Sequence, residues 1–470
     1  MRALLAALAA SAALLPAQAP DAARMRADVF TLASPAFEGR LTGAPGQMKA
    51  ARLVAARFKE LGLQPLGKGA EPYFLPYALE HLTATMEGSH LSLNGRRAPY
   101  GAGAVSTLMK SVKAPLIFEP DGAKPGPEAA GCWIAAFVPA GSTGDQSDHL
   151  YFAALAAHAS GLLLLPRPGG DLGGFYKEGQ RFIERGRWVP GGQPVAAGPA
   201  MAGVDAAAAA ALGLDLEALA KRTALQRLGT WSVEPRTSLQ TEHPVNVAAL
   251  LPGSDPLLKD EIVVLSAHED HLGIFHGQLH PGADDNASGT AVLMEAARLL
   301  KDAKPRRSIL FLSLSGEELG LYGSRAFVAD PPVPLKSIVA DLNADMVGRN
   351  GVKTIAVTPA RVPDATGTLT RDAREIAGGL GFTLTDEADA YWKRSDHYTF
   401  VQAGIPAIFF FGGMEADYHQ ATDTPDKIEP EKLVNVAELL RRLALRTANA
   451  EARPKALPGT AWEGWKWPSR

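Results

Sequence analysis

Eight acidic or histidine residues in this chain stand out as a set: His268 with Asp270, the pair Asp284-Asp285, the pair Glu317-Glu318, Asp345 and His419. Each falls just past a short apolar run or in a loop that leads into a helical stretch. A pair of zinc-type divalent ions takes imidazole nitrogen and carboxylate oxygen, about four ligands per ion, with one position left for water. The inventory meets that need. One arrangement gives His268 and Asp345 to one ion, Glu318 and His419 to the other, with Asp285 bridging. Such a centre polarises a carbonyl and turns water into a nucleophile, which is hydrolytic chemistry. Asp270, two residues beyond His268, is placed to accept the other imidazole N–H and fix its tautomer. Adjacent side chains diverge, so Glu318 can bind metal while Glu317 faces the water as general base and then proton donor. Each residue alone is an ordinary loop histidine or helix-start glutamate; the set is what is unusual.

Other catalytic classes find less support. Ser288 lacks the Gly-x-Ser-x-Gly elbow, Cys132 sits on an apolar run without a basic neighbour, and no phosphate-binding glycine loop of the P-loop or dinucleotide type is present. Cys132 is the only cysteine, so no internal disulfide or cysteine-based metal site exists.

The elements that must carry these residues are legible from periodicity. Beyond Asn246, apolar runs at Ile262–Ala267, Ser308–Leu314, Ile338–Ala344, Thr354–Val357 and Pro406–Phe411 suit strands buried on both faces. Helical stretches at Ser288–Leu300 and Glu431–Ala448 lie between and after them. This alternation predicts an α/β fold, a mostly parallel mixed sheet covered by helices on both faces. The chemistry-bearing residues then share the sheet's C-terminal edge, where open parallel sheets bind ligands. Gly46–Leu61 reads as a surface helix. Phe37-Glu38-Gly39-Arg40 and Thr42-Gly43 form a polar loop that periodicity does not interpret.

Residues 96–235 differ in texture. Apolar runs at Ala114–Phe118, Cys132–Val138 and Gly161–Leu165 alternate with a helical stretch at Asp148–Ala159, so this interval is read as a smaller inserted domain. The discontinuous main domain is expected over 20–95 and 236–450, with 451–470 a tail. Residues 1–19 read as an export signal, with Arg2, an apolar stretch from Ala3 to Leu15 and the small residues Ala17 and Ala19. The expected location is therefore periplasmic or extracellular. No other stretch suits a membrane helix. The formal net charge of −3, without blocks of like charge, argues against a nucleic-acid partner.

Six ordered runs carry a family resemblance: SAHEDHLG at 266–273, PGADDNASG at 281–289, SGEELGLYGS at 315–324, NADMVGR at 343–349, SDHYTF at 395–400 and YHQATDTPDK at 418–427. With LASPAFEGRLTGAPG at 32–46, the chain resembles the di-zinc aminopeptidases of peptidase family M-twenty-eight. Bacterial leucyl aminopeptidases, aminopeptidase Y and glutamate carboxypeptidase II are members. The resemblance implies a zinc-exopeptidase fold of the phosphorylase/hydrolase-like kind and two zinc ions per chain on His268, Asp285, Glu318, Asp345 and His419. It further implies Glu317 as base, Asp270 as the imidazole's partner and peptides as substrates. It places Asp396 and His397 near the site's rim and makes Tyr391 a candidate oxyanion donor, the three forming an expected substrate-binding group. The inserted interval resembles a β-rich protease-associated domain, with Gly161–Leu165 and Val195–Val204 as its recognisable runs. The implied activity is removal of N-terminal residues; a carboxypeptidase or dipeptidase, a glutaminyl cyclase-like enzyme and a non-catalytic receptor-like relative are the alternatives.

Overall fold

The computed structural model describes residues 18–455, except 121, 123, 139–143, 173, 191–199, 276 and 362–366. All but the last two residues of the expected leader, the tail from 456 and the 195–199 part of the Val195–Val204 run lie outside the described residues. The chain divides into two units, one formed by residues up to Tyr77 and from His243 onward, the other by Ala78–Glu242.

The first unit is built on a nine-stranded sheet. Its main strands are β1 (Val245–Leu251), β2 (Ile262–His268), β3 (Ser308–Leu314), β4 (Ile338–Asp345), β5 (Thr354–Thr358), β6 (Thr383–Thr385) and β7 (Ala407–Phe411). Their spatial order is β1-β3-β2-β4-β7-β5-β6. The four central strands β3, β2, β4 and β7 run parallel, while β1 and β5 join antiparallel. In register, His268 stands beside Leu314 and Asp345 beside Phe411, so the strands end together on one edge.

Every residue of β2, β3 and β4 is buried, because helices cover both sheet faces. On one face Val263, Leu265, Phe311 and Leu342 pack with Leu293 and Leu300 of α3 (Gly289–Leu300) and with Leu433, Val436 and Leu440 of α7 (Pro430–Asn449). Val29 of α1 (Ala22–Leu32) and Val54 and Phe58 of α2 (Pro45–Glu60) extend that layer. On the other face Val264, Leu310 and Leu312 meet Phe327 and Val328 of α4 (Tyr322–Ala329). A helix α5 (Thr368–Gly379) packs near β6, and α6 (His397–Gln402) adds Phe400 to the second face. The fold class and the helix-covered, mostly parallel sheet match the sequence expectation. Among the described residues no helix is long and apolar enough to cross a membrane.

The second unit has its own nine-stranded sheet and its own apolar cores. Its boundaries differ from the expected 96–235. Two long strands, Leu79–Leu93 and Gln226–Glu242, pair antiparallel from Leu93↔Trp231 to Leu79↔Glu242 and carry the unit out to residues 78 and 242. The outer end of the second strand, residues 236–242, is largely exposed and polar, and that of the first, residues 79–84, is only partly buried, so neither offers an unbroken apolar run.

Candidate active site

The expected residues converge because their strands are parallel neighbours. His268 closes β2 and Asp345 closes β4, while Glu317 and Glu318 follow the end of β3. Asp285 lies in the turn ahead of α3, and His419 in the loop after β7.

Side-chain hydrogen bonds stitch these loops together. Asn286 donates from Nδ2 to the Ala344 carbonyl (3.0 Å), and its Oδ1 accepts the N–H groups of Gly289 (2.9 Å) and Met346 (3.1 Å). Ser288 Oγ accepts the Val347 N–H (3.0 Å) and donates to the Asp284 carbonyl (2.7 Å). Thus the turn bearing Asp285 is fastened to the end of β4, which bears Asp345. Asp423 accepts the N–H groups of Asp284 (3.0 Å) and Asp285 (3.1 Å) and ties the same turn to the His419 segment. That segment is anchored in turn by Asp417, which pairs with Arg349 (2.9 Å) and Lys427 (2.8 Å). His419 itself adopts a left-handed φ of 57°, the kind of local strain that packed surroundings hold in place at working sites.

The five expected ligands form two linked groups. His268 Nε2 lies 3.2 Å from Asp345 Oδ1 and 3.5 Å from Asp285 Oδ1. His419 Nε2 lies 3.2 Å from Asp285 Oδ2 and 3.0 Å from Glu318 Oε2. The two oxygens of Asp285 therefore face different histidines. Ligand atoms of His268, Glu317 and Asp345 cluster in one place and those of His271, Asp285 and Glu318 in another. Glu317 thus stands with the first group, and His271, outside the expected set, joins the second.

So many carboxylates in one buried place strain each other's ionisation. Burial, then the neighbouring Glu318, raises Asp285 to about 6. Burial raises Glu317 well above the usual glutamate range, with Glu318 and Asp345 adding to it against the relief from His268. Burial also works against Glu318, but His271 and His419 outweigh it and hold that group well below its ordinary value. His419 is lowered by burial and raised further by Asp285 and Glu318, ending at about 10. The cluster is a site that calls for positive charge.

A cavity of about 110 Å³ opens onto this cluster, lined by Asp285, Glu317 and Asp345 together with Met346, Tyr391, Phe411, Met414, Tyr418 and Arg394. Tyr391 is among the residues that line the cavity. Asp396 and His397 are not at a rim: both are fully buried and outside the lining. The His397 ring stacks on Phe409 (4.8 Å) and its Nε2 bonds the Trp392 carbonyl (2.9 Å), and burial lowers its pKa to about 3. Their run starts α6, whose apolar partners draw it under the sheet edge. Asp270 faces His268: its Oδ1 lies 3.6 Å from His268 Nδ1 and its backbone carbonyl 3.2 Å from the same nitrogen. Its other oxygen, Oδ2, accepts from Thr42 Oγ1 (2.7 Å), and Oδ1 also accepts from the Glu317 N–H (3.3 Å).

A model of the family described as Peptidase family M28 matches residues 246–444, the span that contains every one of these groups. That span of the chain is similar to the M28 peptidases. Aminopeptidase YwaD of Bacillus subtilis is 30% identical over 207 residues, 42% of this chain and 43% of that protein. A probable leucine aminopeptidase of Arthroderma otae is 32% identical over 221 residues, 44% of this chain and 58% of that protein. The chain thus spans about half the length of these curated relatives. Among solved structures, the aminopeptidase from Aneurinibacillus sp. strain AM-1 superposes with a TM-score of 0.58 at 23% identity, covering 94% of this chain and 95% of that one. The zinc aminopeptidase of Bacillus subtilis gives 0.56 at 22%, covering 95% and 99%. These two show the fold.

Several supporting residues, some of them outside the matched span, carry no clear signal in the sequence. Arg40, wholly buried, donates to four carbonyls: Glu269 (2.6 Å), Leu32, Pro281 and Gly282 (2.7 Å each). It joins the loop after β2 to the turn that carries Asp285. Gly39 beside it has φ 65°, and a Cβ there would lie 2.5 Å from the Gly273 carbonyl oxygen. Thr42 links Asp270 to the Gly316 N–H (2.9 Å) ahead of Glu317. The signal was the early FEGRLTG run itself, polar where a surface loop needs no arginine. His271 was visible only as a second histidine in HEDH.

Proposed function

We propose that this chain is an exported, zinc-dependent aminopeptidase that removes N-terminal residues from peptides. The observation that carries the reading is Asp285, with one oxygen toward His268 and the other toward His419. The donor set fits a pair of zinc ions. Its atoms stand 3.0 to 3.5 Å apart, close to the edge of about 3.4 Å that tetrahedral bonds of about 2.1 Å imply. His268 Nε2 has no hydrogen-bond partner despite these neighbours, as suits atoms sharing an ion rather than a proton. A first ion would be held by His268 and Asp345 and a second by Glu318 and His419, with Asp285 bridging. When bound, such ions supply Lewis acidity to the scissile carbonyl and the attacking water.

The chain's own residues do the remaining work. Glu317, on the cavity wall, takes the proton of the attacking water and returns it to the leaving amine. The carboxylate cluster offers counter-charge to the substrate's free ammonium group. Met346, Phe411, Met414 and Tyr418 accept an apolar side chain, and Tyr391 is a candidate donor to the developing oxyanion. Relatives named aminopeptidase and the structure titled zinc aminopeptidase support this reading. Residues 1–19 are read as the export leader and Ala78–Glu242 as a protease-associated domain. Arg394 in the cavity lining favours a second reading, a carboxypeptidase or dipeptidase that grips a terminal carboxylate.

The test is a mass-coded set of peptides, free or acetylated at the N-terminus and free or amidated at the C-terminus, incubated with zinc-loaded protein. Shortening of free N-termini only, abolished by chelator and restored by zinc, is the expected result. Shortening from the C-terminus moves the conclusion to the second reading, and no chelator-sensitive product removes both.

A further inference from the structure

His271 has no part in the ligand set or the proton transfers above, yet it is fully buried against them. Its Nδ1 lies 2.6 Å from Glu318 Oε1, a short charge-assisted hydrogen bond, and 3.8 Å from Asp285 Oδ2, too far for one. The other Glu318 oxygen, Oε2, lies 3.0 Å from His419 Nε2. Glu318 thus divides its oxygens, one toward His271 and one toward the second ion's place.

Two features fix the ring in that position. The His271 N–H donates to the Arg40 carbonyl (3.2 Å), which pins the backbone. The ring also lies against Gly282, where φ is 56° and a Cβ would stand 2.4 Å from His271 Cγ and 2.5 Å from Cδ2. Only a residue without a side chain leaves room for the imidazole.

The ring's far nitrogen decides what His271 does there. A metal-ligating imidazole gives its other N–H to an acceptor, but His271 Nε2 is buried without a hydrogen-bond partner. With the proton on Nδ1, Nε2 is a bare acceptor and no N–H is stranded. We propose that His271 is a positioning residue for the second ion: its Nδ1–H donates to Glu318 Oε1 and turns Oε2 toward His419 and Asp285. The inference rests on the two-ion reading.

The test measures stepwise zinc affinity by chelator competition, with zinc counted by elemental mass spectrometry, for the full chain and three variants. His271→Phe keeps a ring against Gly282 without the donor, and His271→Leu repeats the loss in another shape, so a folding defect in one does not decide the outcome. His271→Asn restores an N–H near the place of Nδ1. The wild type should bind two ions. Phe and Leu should weaken the second by roughly 10- to 100-fold and leave the first unchanged, and Asn should recover most of the loss. Second-ion affinity within threefold of wild type in both Phe and Leu overturns the proposal. Asn as weak as Leu also overturns it, since that outcome means the imidazole binds the ion directly. A wild type that binds fewer than two ions instead overturns the two-ion reading, and the proposal with it.

Discussion

Replacing Arg40 with methionine should do more damage than removing any residue that faces the cavity. Methionine keeps most of the apolar stem, so little cavity is left. What disappears is a guanidinium that serves four carbonyls at 2.6 to 2.7 Å, those of Leu32, Glu269, Pro281 and Gly282, all in a wholly buried place. Burial lowers the Arg40 pKa only to about 10, so the group is charged at neutral pH and its bonds are of the charge-assisted kind. At about 1 to 1.5 kcal/mol per bond lost, with the acceptors left dry, the sum is about 4 to 6 kcal/mol. That is a large share of the stability of a typical domain. Hydrogen exchange of metal-free protein, followed on peptides covering β2 and β3, reads this without interference from the second unit. Exchange there should accelerate by roughly three to four orders of magnitude, as each 1.4 kcal/mol is tenfold. An acceleration under tenfold would refute the reasoning, since it would mean the four carbonyls find other donors at no cost. Arg40→Lys should recover only part, because an ammonium cannot span four splayed acceptors.

Three further expectations concern chemistry, substrate and pH. Glu317→Gln should retain both zinc ions by elemental analysis and lose turnover by roughly two to four orders of magnitude; near-normal activity rejects the base role. If Arg394 grips a terminal carboxylate, Arg394→Ala should lower kcat/KM for peptides with a free C-terminus relative to amidated ones by tenfold or more; the aminopeptidase reading expects that ratio to stay constant. Glu261 is raised by burial but lowered more by its hydrogen bonds from Arg453 (2.7 Å) and Arg307 (2.6 Å), so its folded pKa lies below 4.5. It therefore adds stability above the unfolded pKa, and this is lost as pH falls through the folded value. Glu261→Gln should cost about 2 kcal/mol at pH 7, fading below about pH 4.5, as read by denaturant titration.

The strands and their covering helices were readable because burial on both faces leaves runs of unbroken apolar residues, as in β3 and β7. The C-terminal edge followed from that, and with it the convergence of His268, Asp285, Glu318, Asp345 and His419. What stayed hidden depended on tertiary placement of polar groups. Nothing in the SDHYTF run tells that Asp396 and His397 face inward, because α6 is short and its apolar partners come from other segments. The spacing of His268 and Asp270 points to the pair that the fold brings together at 3.6 Å, but not to Thr42, far off in sequence, which binds the other Asp270 oxygen. The insertion's limits are hidden because the end of its long strand over residues 236–242 is exposed and carries threonine, serine and glutamine rather than a hydrophobic signature.

The point of insertion also bears on the order in which the chain folds. Strand Phe74–Pro76 pairs with β1 through Pro76↔Val245, and the Tyr77 N–H bonds the Pro244 carbonyl (3.1 Å), so the first unit's chain leaves and returns at adjacent residues. Within the second unit, Leu79 and Glu242 are likewise strand partners. An unstructured loop of 165 residues, 78 through 242, would make closing that strand pair about 3 kcal/mol harder than a five-residue turn. Once the insertion has folded, its two ends are already side by side and the penalty collapses to that of a tight turn. During synthesis the insertion also emerges before β1 does. Folding of the insertion first would spare the first unit most of that closure cost and bring the N-terminal segment with Arg40 and Thr42 beside β1.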